Sequence, residues 1–216
     1  MFAFAREMRY TWGKPADRKR GIQMAKQIVC IGDSNTWGYD PRGFGGGRYP
    51  AAVRWTARLD SQPGWDIHNL GENGREIPHS EFALRLLGQQ LDTLAPFDGI
   101  CLMLGSNDLL CGASPGAAAA RMENLLDRLA AYGVPLLLIA PPRFCPGTWV
   151  ADEQLIDASA RLAGLYRMLA QEKATAFADA GKWDIPLAFD GVHFTGEGHL
   201  KFAERVQEAF TQAFGT

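Results

Sequence analysis

Apolar positions along the chain fall into two alternating kinds of stretch. One kind is short and strand-like: residues 27–31, 65–70, 99–104, 134–140 and 174–179. The run 99–104, Gly-Ile-Cys-Leu-Met-Leu, has no polar alternation at all, the pattern of a parallel strand covered on both faces. The other kind is longer, with apolar residues at helical spacing. Residues 54–59 open the first of these. Residues 80–94 follow, with Phe82, Leu86, Leu87 and Leu91 on the expected inner side and Pro96 beyond the end. Residues 115–132 have Ser114 to cap them, Pro115 in the first turn and Gly133 just past the end, the usual order of helix punctuation. Residues 151–172 place Leu155, Ala158, Leu162, Leu165, Tyr166 and Leu169 on one side, and residues 196–210 direct Phe202, Val206 and Phe210 inward.

Strand and helix in repetition predict an α/β fold: a three-layer α/β/α arrangement around a doubly wound, flavodoxin-like parallel sheet. Functional groups in such sheets gather beyond the carboxyl ends of the strands. The glycine-rich stretch 42–48, which includes Phe44, reads as a flexible insertion near the first such end.

Composition narrows the class. With 216 residues, 47% of them apolar and 21% charged, the chain suits one domain with a substantial core, read here as residues 24–216. A net charge of -2 and the lack of a basic patch give no argument for a nucleic-acid partner. The longest apolar run, 134–142, is too short to span a bilayer. Residues 1–23 are basic without a continuous apolar stretch, so they do not read as a secretory signal. They are expected to be either a loosely docked extension or an arm that packs on a second subunit through Tyr10 and Trp12, leaving a homo-oligomer open. Cys30, Cys101, Cys111 and Cys145 show no metal or redox spacing. Without an export signal, reduced thiols in the cytoplasm are the default.

Candidate chemistry lies at the predicted strand ends. Ser34, in Gly32-Asp33-Ser34-Asn35-Thr36, follows the first strand, and Asp190-Gly191-Val192-His193 precedes the last helix. A hydroxyl needs a base to take its proton and a third group to orient that base; a serine, an imidazole and a carboxylate supply these. Taken alone, the segment 33–36 could be only a helix-capping run. Between the two segments lie Gly71-Glu72-Asn73-Gly74 and Gly105-Ser106-Asn107-Asp108, which offer glycine N–H groups and an asparagine amide for a developing oxyanion. Ser114 sits in a Gly-x-Ser-x-Gly pattern, but the N–H that such an elbow uses would come from Pro115, which has none. Ser114 therefore reads as a helix cap. His68 and His79 lack a downstream carboxylate in the right place, and His199 falls inside the last helix as a packing or solvent-facing residue.

These four blocks, in this order and strand context, resemble the SGNH (GDSL-type) hydrolases over essentially all of residues 24–216, with Asn35 where the family name has leucine. The resemblance implies Ser34 as nucleophile, His193 as base and Asp190 as the orienting acid. It implies an oxyanion hole from the Ser34 and Gly74 N–H groups and the Asn107 amide, with Gly71 the alternative glycine. No metal or cofactor is required. Residues 38–59 resemble more narrowly the branch of bacterial arylesterases and acyltransferases. That implies small ester substrates of short-acyl or aryl type, with acyl transfer beside hydrolysis. Carbohydrate O-acetylesterase, lysophospholipase and thioesterase activities belong to the same family. Trp37, Phe44, Trp149 and Phe144 are candidate lining residues, or ordinary core. Three rivals remain at this stage: a metal-dependent phosphoesterase, for which no His/Asp cluster at metal spacing is present; a flavodoxin-like phosphate binder, which lacks a glycine-rich cradle; and a non-catalytic ester-binding relative.

Overall fold

The computed structural model describes residues 25–43 and 47–215; the expected extension 1–23 and Phe44 lie outside the described residues. In chain order the elements are β1 (Lys26–Gly32), α1 (Ser34–Trp37), β2 (Tyr39–Asp40), β3 (Gly47–Arg48), α2 (Trp55–Asp60), β4 (Trp65–Gly71), α3 (Glu81–Leu94), β5 (Gly99–Met103), α4 (Ser106–Leu110), α5 (Pro115–Leu129), β6 (Leu136–Ala140), α6 (Glu153–Glu172), β7 (Ala176–Asp179) and α7 (Gly196–Phe214). Five strands form one parallel sheet in the order β4-β1-β5-β6-β7, and β2 and β3 pair as a small antiparallel ribbon.

Side chains alternate across a strand, so each central strand feeds two cores. Val29 and Ile31 of β1, with Ile100 and Leu102 of β5, pack against α3, α5 and α6 through Leu87, Met122 and Leu162. Ile28 and Cys30, with Cys101 and Met103, pack on the other side against Trp55 of α2 and Phe202, Val206 and Phe210 of α7. Every residue of β5 is buried, as its unbroken apolar run predicts.

The chain leaves β1 toward β4 on one side and returns to β5 on the other. The winding direction therefore reverses between β1 and β5, the point beyond whose strand ends sheets of this kind gather their functional groups. Ser34 leaves one of these ends and Asn107 the other.

Several expectations change, and β6 and α6 each begin two residues later than expected, at Leu136 and Glu153. Phe82 and Leu86 do not face inward: they are 67% and 48% exposed, while Leu84, Leu87 and Leu91 are buried. At roughly 100° per residue, the stripe through 84, 87 and 91 lies opposite Phe82 and Leu86. The last helix runs on to Phe214, because the stripe of Phe202, Val206 and Phe210 continues there, and Phe214 is buried against Gly99. The last strand begins two residues later than expected, at Ala176, since Ala174 holds φ 51°, a left-handed conformation outside any strand.

Candidate active site

Ser34 opens α1, a helix of four residues. Asp33 caps it: the Asp33 carboxylate accepts the Asn35 N–H at 2.9 Å, and the Asp33 carbonyl accepts the N–H groups of Thr36 and Trp37. Burial pushes the Asp33 carboxyl up to about 6, against the opposing pull of the Asn35 N–H. The Ser34 N–H has no acceptor among the described residues and, like any first-turn donor, points away from the helix it starts.

Asp190 to His193 form a turn held by the acid itself. One Asp190 oxygen accepts the backbone N–H groups of Val192 and His193, each at 2.9 Å. The other lies 2.7 Å from His193 Nδ1, and His193 Nε2 lies 2.9 Å from Ser34 Oγ. All three residues are buried. Burial works to raise the Asp190 carboxyl, but the His193 ring, the His193 N–H and the Val192 N–H outweigh it and hold it below the ordinary carboxylate value. An ionised Asp190 can only accept, so Nδ1 carries the ring proton. Nε2 then presents its lone pair to the Ser34 hydroxyl, the tautomer a general base needs.

A strap from the end of β6 braces this turn. The N–H groups of Cys145, Thr148 and Trp149 donate to the carbonyls of Gly191, Phe189 and Asp190. The approach is so close that a Cβ on Gly147 would lie 2.3 Å from the Asp190 carbonyl carbon. One on Gly191, at φ +82°, would lie 2.1 Å from the Cys145 oxygen. Both positions require glycine.

Asn107 stands on α4 beyond β5. Its amide donates one N–H to the Arg75 carbonyl at 3.0 Å, which leaves the second for another acceptor. Of the two glycines considered for the same task, Gly71 donates its N–H to the Asn69 side chain at 2.8 Å, whereas the Gly74 N–H has no acceptor among the described residues. The loop carrying Gly74 is anchored by Asp108, which the sequence reading did not single out. This carboxylate is fully buried; it accepts the Ile77 N–H at 2.9 Å and the Arg121 guanidinium at 2.7 Å, and Arg121 also reaches Glu76. An acidic residue directly after the candidate oxyanion asparagine was the available signal.

Two rings flank the imidazole. Trp149, half open to solvent, stands edge-on to His193 with ring centres 4.9 Å apart. Tyr39, which the sequence reading did not pick, lies 4.6 Å away on a tilt of 50°. Phe189, bonded through its carbonyl to Thr148, is also exposed. Trp37 sits under the Arg48 guanidinium, 4.9 Å from the ring centre, and its carbonyl accepts the Arg48 Nε–H. Phe144 is a core residue.

The competing residues lie elsewhere. Ser114 caps α5 by accepting the Ala117 N–H. The His79 ring bonds with the Ile77 carbonyl, and His68 lies on β4. His199 is fully buried between the rings of Tyr49 and Phe194; burial, reinforced by Arg54, pushes it down to about 3, so it is a neutral packing residue. Among the described residues no helix is long and apolar enough to cross a membrane.

The sequence pattern of the GDSL-like lipase/acylhydrolase family matches residues 30–201. No curated protein sequence matches the chain. Solved structures do. A carbohydrate acetylesterase family member from Sinorhizobium meliloti is 28% identical, with 88% of this chain and 100% of that one covered and a TM-score of 0.78. The native aryl esterase of M. smegmatis is 27% identical, with 86% and 100% covered and a TM-score of 0.72. Est24, a carbohydrate acetylesterase from Sinorhizobium meliloti, shares the fold at 23% identity, with 87% and 99% covered and a TM-score of 0.76.

Proposed function

The chain belongs to the GDSL-like lipase/acylhydrolase family and is a carboxylic ester hydrolase, and from that footing we propose that it cleaves short-acyl or aryl esters through an acyl-serine intermediate. The observation that carries the reading is the unbroken hydrogen-bond chain from Ser34, just past β1, through His193 to Asp190.

Ser34 Oγ attacks the ester carbonyl carbon while His193 Nε2 takes the hydroxyl proton. The charge that develops on the carbonyl oxygen is met by the Ser34 and Gly74 N–H groups and the free N–H of Asn107. The tetrahedral centre collapses, the bond to the alcohol oxygen breaks, and His193 returns the proton to the leaving alcohol. A water molecule repeats the sequence on the acyl-serine and releases the acid. An alcohol in its place would make a new ester, which is the acyl-transfer activity. Asp190 keeps the ring in its tautomer and stabilises the imidazolium. Trp149 and Tyr39 line the approach, while Trp37, beneath Arg48, supports the wall behind it. The substrate is a small molecule and the chemistry calls for no cofactor. The four cysteines are free, which suits a reducing compartment and hence the cytoplasm.

Release of acetyl groups from sugars is a second reading, supported by the 28% identity to the carbohydrate acetylesterase family member. Turnover of p-nitrophenyl esters of increasing chain length, set beside acetylated oligosaccharides, separates the two. A serine-reactive fluorophosphonate tests the mechanism. The label should map to Ser34, Ser34→Ala should lose both label and turnover, and Ser114→Ala should keep both. A label on Ser114 would overturn the reading.

A further inference from the structure

The position next to Ser34 carries an amide where the family's name has leucine, and that amide reaches across the fold. Asn35 is buried. Its Nδ2 donates to the Val192 carbonyl at 3.2 Å, and its Oδ1 accepts the Phe194 N–H at 2.9 Å. Those two backbone groups belong to the residues on either side of His193. The Asn35 carbonyl, in turn, accepts the Trp55 indole N–H at 3.0 Å, and its own N–H is held by Asp33. Asn35 is thus bonded at four points, with two of them gripping the chain immediately before and after the imidazole.

We propose that Asn35 is a positioning residue: its amide clamps the backbone on both sides of His193 to the helix that carries Ser34, and so sets the Nε2-to-Oγ distance. Asp190 fixes the tautomer and the plane of the ring through Nδ1, but it sits on the same turn as His193 and travels with it. Asn35 ties that turn to the element bearing the nucleophile. The groups involved are partners at both ends: the Val192 carbonyl and Phe194 N–H point inward, where a leucine would leave both without a partner. A leucine would fill the volume and lose the registration. The inference rests on the reading of Ser34 and His193 as nucleophile and base.

Asn35→Leu tests it, together with Asn35→Asp, which keeps an acceptor for the Phe194 N–H but sets an oxygen, in place of the donor, against the Val192 carbonyl. Misplacing reacting groups by an ångström costs about 10²-fold in rate. Asn35→Leu should therefore lower kcat about 10²-fold per folded enzyme with KM little changed, and Asn35→Asp, which breaks the same contact to Val192, should also lose kcat rather than raise KM. The rate of fluorophosphonate labelling, which also needs the base beside the hydroxyl, should drop in both variants. Circular dichroism and thermal unfolding count the folded fraction, and the Asp variant carries the test should the Leu variant not fold. Wild-type kcat and labelling rates per folded enzyme in either variant overturn the proposal, as does a loss carried by KM. Ser34→Ala, run alongside, separates the two readings: a dead Ser34→Ala enzyme with an unchanged Asn35→Leu enzyme removes only the clamp, while an active Ser34→Ala enzyme removes both.

Discussion

The Trp149 indole meets the His193 imidazole edge to face, at 78° between planes, with half of the tryptophan left in solvent. In the proposed reading the ester passes this exposed face on its way to Ser34. An aromatic pair is worth about 0.5–1.5 kcal/mol, so Trp149→Ala should raise KM for p-nitrophenyl esters by roughly 2- to 10-fold. Steady-state kinetics check it; an unchanged KM would take Trp149 out of the substrate path.

Asn107 gives one N–H to Arg75 and keeps the other free. Because that donor acts on charge present only in the transition state, Asn107→Ala should lower kcat by roughly 10²–10³ while KM moves little. A variant with wild-type kcat removes Asn107 from the oxyanion site.

Asp190 is ionised well into acid, held there by the ring and backbone N–H groups it accepts. With Asp190→Asn the rate should drop because the amide can donate to Nδ1 and select the wrong tautomer. A wild-type kcat/KM in that variant would mean that Asp190 is not the third member.

His199 should make the fold sensitive to acid. In the unfolded chain it takes a proton at about 6.5. Burial, with Arg54 nearby, pushes it down to about 3 in the fold. Between those values the unfolded state binds more protons, so this group's contribution to stability falls as pH drops from 6.5 toward 3. Asp33, raised to about 6, works in the opposite direction over part of that window, but equally in a His199 variant. The Tm of wild type should therefore fall more steeply from pH 7 to pH 4 than that of His199→Leu. Parallel curves would contradict the assignment.

Much of the architecture is written in local pattern. The unbroken run Gly99–Met103 states its own burial on two faces, and Ser114 and Pro115 mark the start of α5, while its end at Leu129 comes earlier than Gly133, which closes the 3₁₀ turn Ala130–Tyr132 that follows. Motif order brings Ser34, Asp190 and His193 into one neighbourhood, because all lie past strand ends of a sheet whose winding reverses between β1 and β5. What escapes the sequence is whatever depends on a partner far along the chain. Phe82 and Leu86 fit a helical stripe as well as Leu84 does, and only the placement of α3 against the sheet chooses between them. Tyr39 reaches His193 from a two-residue strand with no period to read. Asp108 is legible as a charge, but its burial depends on Arg121 arriving from α5.

The interlock between Gly147 and Asp190 makes the strap and the acid–base turn a single piece. Trp149 cannot be exchanged for the equivalent segment of a relative as a free-standing module: a side chain at 147 would push against the backbone of the turn that carries both Asp190 and His193 and shift that turn relative to Ser34. Tyr39, on the other flank of the imidazole, belongs to the β2–β3 ribbon, and among the described residues no glycine of that ribbon interlocks with the Asp190 turn as Gly147 does.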